Sequence, residues 1–230
     1  MREIVFDTET TGLSFSGGDR MVEIGCVEIF NRVETGRTFH AYYNPDRPMP
    51  AEAFAVHGLS DAFLSDKPRF PDTVEALLEF IGDAPLVAHN AGFDFGFLNG
   101  ELRQCGRPPV CTTRMVDTLN IARSKHPGAK HTLDALCSRF GIDRSHRVLH
   151  GALLDAQLLA QVYVELTGGR QIGLGLVSEI VVEATGQGQA RVSSVVRPAR
   201  VFSVSEAELA AHAAFMGRVK NPIWGNDASA

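Results

Sequence analysis

The sequence is short of cysteine: it has four in 230 residues, Cys26, Cys105, Cys111 and Cys137, and no two form a C-x-x-C pair. Such scattered thiols argue against a secreted disulfide framework and predict reduced side chains in a cytoplasmic protein. No stretch approaches the ~18 consecutive apolar residues that a membrane span requires, so no membrane association is expected. The opening MREIVFD has one arginine and then an acidic strand, which is not the pattern of a signal peptide. Positive charge is also scarce. There are 22 Lys and Arg against 27 Asp and Glu, a net charge of −5, which taken whole speaks against a nucleic-acid surface.

That deficit is uneven along the chain. Between Arg103 and Arg147 nine basic residues face three acids, Asp117, Asp134 and Asp143. A local surplus of this kind suits phosphate contacts, and it equally suits an ordinary solvated face. Charge alone leaves both readings open. The length allows one well-buried domain with a substantial appendage, since single cores usually stop growing at roughly 250–300 residues.

Short β-branched and apolar runs predict strands at 2–7, 21–30 and 38–43, after which Pro45, Pro48 and Pro50 break the pattern. Val74, Leu77, Leu78 and Ile81 recur at helical spacing just after Pro71 and predict a helix over 72–81. A buried strand is expected at 86–89. Helices are expected near 93–103, 117–124, 132–140 and 151–166, the third closed by Gly141. Strands first, then β–α units and helices, imply an α/β fold with a mixed sheet covered by helices.

Beyond Thr167-Gly168-Gly169 the texture changes, becoming rich in Gly, Gln and Val to about residue 200. Ser205 and Glu208 then form a capping box for a helix over 205–220. Leu209, Ala213, Met216 and Val219 share one of its faces. The only tryptophan, Trp224, follows. The expected organisation is a domain over 1–168, a linker over 169–200 and a tail over 201–230.

Four acids stand out by position. Asp7 and Glu9 lie near the end of the first strand, where period-two alternation turns both to one face. Asp94 follows a strand that runs into a helix start, and Asp155 sits on the helix beginning near Gly151. Carboxylates gathered at an apolar strand end are costly unless a divalent cation offsets their charge. Hard oxygen ligands without nearby cysteine favour Mg²⁺ or Mn²⁺ over zinc. His150 precedes Asp155 by five residues, ~140° round a continuous helix at 3.6 residues per turn. To share a site with Asp155 it must therefore sit on the entry turn, where an imidazole can take a proton from a cation-acidified water.

FDTETTGL at 6–13, LVAHNAGFDFGFL at 86–98 and the H-x₄-D spacing of 150–155 resemble, in order, the three motifs of the DEDDh 3′→5′ exonucleases. The sister family has a tyrosine four residues before its last aspartate, and this chain has Gly151 there. The resemblance implies a ribonuclease H-like mixed five-stranded sheet flanked by helices, with a C-terminal extension. It implies that Asp7, Glu9, Asp94 and Asp155 hold two divalent cations, with His150 as general base. It places Thr10, Gly12 and Leu13 under the terminal nucleotide and His57 on the substrate side. Phe93 either stacks on a base or packs in the core, and His89-Asn90 is expected to fix its loop by hydrogen bonds.

Within the family, the C-terminal third resembles the epsilon-type proofreading branch of bacterial DNA polymerase III. Gln171, Leu174 and Leu176 match the spacing of peptides that dock into the sliding clamp. Leu209, Met216 and Trp224 resemble a helix-in-groove anchor for the polymerase alpha subunit. The implied substrate is a DNA 3′ end, single-stranded or mispaired. The alternatives are an RNA-directed exoribonuclease and a non-catalytic polymerase scaffold; the intact acids and His150 argue against the scaffold.

Overall fold

The computed structural model describes residues 1–147, 149–169 and 204–219. Its strands are β1 (Arg2–Thr10), β2 (Met21–Phe30), β3 (Val33–Tyr42), β4 (Leu86–Ala88) and β5 (Met115–Asp117). They form one sheet in the order β3-β2-β1-β4-β5. β1 pairs antiparallel with β2 and parallel with β4, and β4 pairs parallel with β5. The helices are α1 (Ala51–His57), α2 (Asp61–Leu64), α3 (Phe70–Ile81), α4 (Ala91–Gln104), α5 (Thr118–Lys125), α6 (Leu133–Phe140), α7 (Ala152–Leu166) and α8 (Glu206–Met216). The mixed five-stranded sheet with flanking helices is the expected fold.

β1 is apolar on both sides because both faces are covered. Its even positions Ile4 and Phe6 join Ile24, Cys26, Leu86 and Ala88 under α3 and α4. The odd positions continue from Val5, which packs with Val27, Ile29 and Val87 against Ala156, Leu159 and Ala160 of α7. Asp7 and Glu9 carry on that odd series. The alternation therefore turns both carboxylates towards the helix that carries Asp155.

One glycine makes this approach feasible. Gly25 of β2 stands opposite Asp7 in the ladder. A Cβ there would lie 2.2 Å from the backbone nitrogen of Leu153 and 2.3 Å from its Cα. The first turn of α7 thus rests directly on the sheet backbone beside Asp7. Gly25→Ala is expected to push that turn outward, costing about 1–3 kcal/mol of stability as an overpacked core position does. It should cut hydrolysis far more than its stability loss implies, because Asp155 moves away from Asp7. Urea unfolding and turnover measured on the same sample check this, and wild-type turnover at reduced stability would refute it.

Several boundaries differ from expectation. β1 runs on to Thr10, because Thr8, Glu9 and Thr10 keep pairing with β2 despite their polarity. β3 starts at Val33; its first half is exposed and so shows no apolar alternation. The short elements α1, α2 and β5 were not expected: α1 and α2 follow the prolines, and β5 has three residues. The chain divides into two compact units, Met1–Leu174 and Gly175–Ala230; in the second, α8 has the anticipated Ser205–Glu208 capping box but ends at Met216. Leu209, Ala213 and Met216 share a face, yet Phe215 and four further alanines spread apolar surface around the helix, so its amphipathic character is weaker than expected. No helix among the described residues is long and apolar enough to cross a membrane.

Candidate active site

Asp7, Glu9, Asp94, His150 and Asp155 all line one cavity of about 540 Å³. Each arrives by a separate local device. Asp7 and Glu9 come from the odd face of β1. Asp94 sits in the first turn of α4, entered through Asn90, whose φ of 65° is left-handed and tolerable for an asparagine. The Asn90 backbone N–H donates to Asp117 Oδ1 at 3.1 Å, and His89 Nδ1 lies 2.8 Å from Thr118 Oγ1. The expected bracing of this loop is thus present, though the Asn90 bond comes from its backbone. Thr8 Oγ1 donates to Asp94 Oδ1 at 2.7 Å, tying α4 to β1.

α7 begins at Ala152 with Gly151 as its cap, so His150 lies on the entry turn, as the 140° argument required. The His150 backbone N–H donates to the carbonyl of Val56 at 3.2 Å, which fixes the turn against the end of α1. One donor atom each from Glu9, His150 and Asp155 lies within 4.8 Å of the others.

The electrostatics of the pocket are those of crowded, dry acids. Burial, with Asp94, Glu9 and Asp155 adding repulsion, holds Asp7 well above the usual carboxylate range. Burial, reinforced by Glu23 and Asp155, pushes Glu9 up to about 8. Burial raises Asp94 to about 7 against the opposing hydrogen bond from Thr8. Carboxyls forced to keep protons near neutrality are a poor resting state, and divalent cations relieve it by replacing those protons. An all-oxygen set of four acids with one imidazole fits such cations.

The structure also draws in residues that sequence reading left as bulk charge. Arg147 Nε and Nη2 bind Asp155 Oδ1 and Oδ2 at 2.5 and 2.7 Å. Arg123 lines the same cavity and Arg103 lines its neighbour. Arg107 and Arg144 pair with Glu75 and Asp134, and Arg114 binds the carbonyls of Gly82 and Ala84. The basic segment is therefore split between structural pairing and the two cavities. A count of charges has no means of making that division.

The residues expected under the substrate divide similarly. Phe93 lines both the carboxylate cavity and an adjoining one of about 560 Å³, which Leu13 also lines. Leu13 is 87% exposed, an unusual state for a leucine beside an active site. Thr10 and Gly12 shape the loop, Thr10 Oγ1 donating to the Gly12 carbonyl at 2.6 Å. His57 is buried; its Nδ1 accepts from the Leu59 backbone N–H, and burial lowers its pKa. Leu209 and Met216 lie on α8, whose residues are all at least partly exposed. Gln171, Leu174, Leu176 and Trp224 lie outside the described residues.

Comparison with known proteins shows the family and the fold. Residues 4–163 match the family described as Exonuclease, RNase_T. The DNA polymerase III subunit epsilon of Rickettsia felis is 48% identical over 223 residues, covering 95% of this chain and 97% of that relative. That of Escherichia coli K12 is 44% identical over 229 residues, covering 95% and 93%. Among solved structures, Exonuclease X in complex with 5′ overhanging duplex DNA superposes with a TM-score of 0.58 at 27% identity, covering 71% of this chain and 90% of that one. The nuclease domain of 3′hExo, a DEDDh family member bound to rAMP, gives 0.63 at 16% identity with 72% and 91% coverage, a likeness of fold alone.

Proposed function

The chain belongs to the exonuclease (RNase_T) family, and from that premise we propose that it is a metal-dependent 3′→5′ exonuclease acting as the proofreading subunit of a polymerase III. It removes nucleoside 5′-monophosphates from single-stranded or mispaired DNA 3′ ends. The observation that carries the reading is the convergence of four acids and one histidine in a single cavity. The names of the relatives favour this reading over an RNA-directed enzyme.

Asp7, Glu9, Asp94 and Asp155 would hold two divalent cations, Mg²⁺ or Mn²⁺, whose charge would polarise the phosphodiester and acidify the attacking water. His150, half-exposed on its turn, takes that water's proton on its imidazole. Leu13 and Phe93 seat the terminal nucleotide, offering an apolar edge and a ring face to its base. Thr10 and Gly12 form the loop beneath it, with His57 on the substrate side. Residues 1–168 form the nuclease. α8, with Leu209 and Met216, and Trp224 beyond it contact the polymerase alpha subunit, while Gln171, Leu174 and Leu176 bind the sliding clamp.

The test is a pair of chains, full-length and ending at Gly168, given a 5′-labelled single-stranded oligodeoxynucleotide. Both are expected to shorten it one nucleotide at a time from the 3′ end with Mg²⁺ and to stop in EDTA. Only the full chain is expected to co-elute with the polymerase subunit. Hydrolysis in excess chelator would refute the metal site, and an inactive shorter chain would refute the division into nuclease and tail.

A further inference from the structure

Arg147 makes a set of contacts that the catalytic assignment does not use. Its side chain is only 9% exposed, and its fork binds both oxygens of Asp155, at 2.5 and 2.7 Å. Its third nitrogen holds Asp134 Oδ1 at 2.9 Å. Nη2 also lies 2.8 Å from His150 Nδ1, while that same Nδ1 is 3.3 Å from Asp155 Oδ2. A guanidinium has no lone pair, so the imidazole nitrogen facing it can only accept. With Arg147 docked, Nδ1 is occupied and the longer Asp155 contact is not its hydrogen bond.

A divalent cation ligated by Asp155 needs a carboxylate oxygen at roughly 2.0–2.1 Å for Mg²⁺. A guanidinium bonded to both oxygens places like charge within a few ångströms of that ion, in a pocket where charges are weakly screened. Docked guanidinium and bound cation therefore compete for one carboxylate. We infer that Arg147 is a cation surrogate and positioning residue: it neutralises Asp155 and occupies His150 until a metal displaces it, so that metal loading and release of the base occur together. The inference rests on Asp155 as cation ligand and His150 as base.

The test is Mn²⁺ calorimetry on the full chain, comparing wild type, Asp155→Asn, Arg147→Gln and Arg147→Lys. Loss of the competitor is expected to tighten Mn²⁺ binding in Arg147→Gln by about 10–100-fold, the ratio to which a charge-assisted hydrogen bond corresponds. Arg147→Lys, which keeps the charge and loses the fork, is expected to fall between. A merely structural arginine would weaken binding when removed, so unchanged or weaker binding in Arg147→Gln overturns the inference. Asp155→Asn binding as tightly as wild type would instead overturn the ligand assignment, and the inference with it. Should Arg147→Gln not fold, NMR of the wild-type chain decides. The Arg147 Nε–H is expected to be protected from exchange in EDTA and to lose protection on saturation with Mg²⁺. Protection unchanged by Mg²⁺ overturns the inference.

Discussion

Replacing Asp7 and Glu9 together by alanine is expected to reduce hydrolysis by more than about 10³-fold, since the proposed cations then lose two of their four carboxylates and much of the charge that holds them. The same double variant is expected to melt higher than wild type in chelator. Without cations Glu9 is buried and Asp7 partly buried beside Asp94 and Asp155, which raise the cost of ionising both. The sign of the pH dependence follows. In the unfolded chain these carboxyls lose their protons near pH 4, whereas in the fold Glu9 holds its proton up to about 8 and Asp94 up to about 7. The folded state therefore binds more protons throughout that window, and metal-free wild type loses stability as pH rises from about 4 to 8.

A fall of roughly 5–10 °C in melting temperature across the window is expected in EDTA, with most of it abolished by Mg²⁺ or by the double substitution. Calorimetric melting at pH 5 and pH 8 measures it. A double variant that melts well below wild type in EDTA would mean that Asp7 and Glu9 are structural, and the cavity would lose its claim to a metal site.

His150→Ala is expected to slow the chemical step by about 10²–10⁴-fold, the usual worth of a positioned general base. The position of the imidazole makes the control essential. It lies with Glu9 and Asp155 inside a 4.8 Å group that itself resembles a ligand set. As a base, His150 is expected to be dispensable for binding the ions, so single-turnover rates should fall while Mn²⁺ affinity stays close to wild type. If affinity falls as far as it does in Asp155→Ala, His150 is a ligand and the base must be sought elsewhere. A gain in rate at higher pH for the alanine variant would fit hydroxide replacing the lost base, and its absence would leave the affinity comparison as the deciding result.

The division between sequence and structure runs through these same residues. Local pattern was enough to mark the acids: the alternation of β1, the strand-to-helix step before Asp94 and the incompatible helical angle of His150 and Asp155 are all properties of short spans. Those spans also fixed the long elements, because burying one face imposes a period of two or 3.6 whatever the partner is. The sequence did not disclose that Gly25 would meet the backbone of Leu153, since nothing near residue 25 refers to residue 153. Nor did it distinguish Arg147, buried against Asp155, from Arg107, paired with Glu75 at the surface. Both are arginines in one basic segment, and their roles differ only in which acid the fold brings to them. Short polar or proline-led pieces such as β5 and α1 were equally illegible, because they are held by neighbours and not by any periodicity of their own. By itself, then, the sequence determined which chemistry the chain carries. The tertiary structure decided how closely the carboxylates crowd, which arginine faces them and which protons they keep, because electrostatic energies depend on distances and burial that only the folded chain sets.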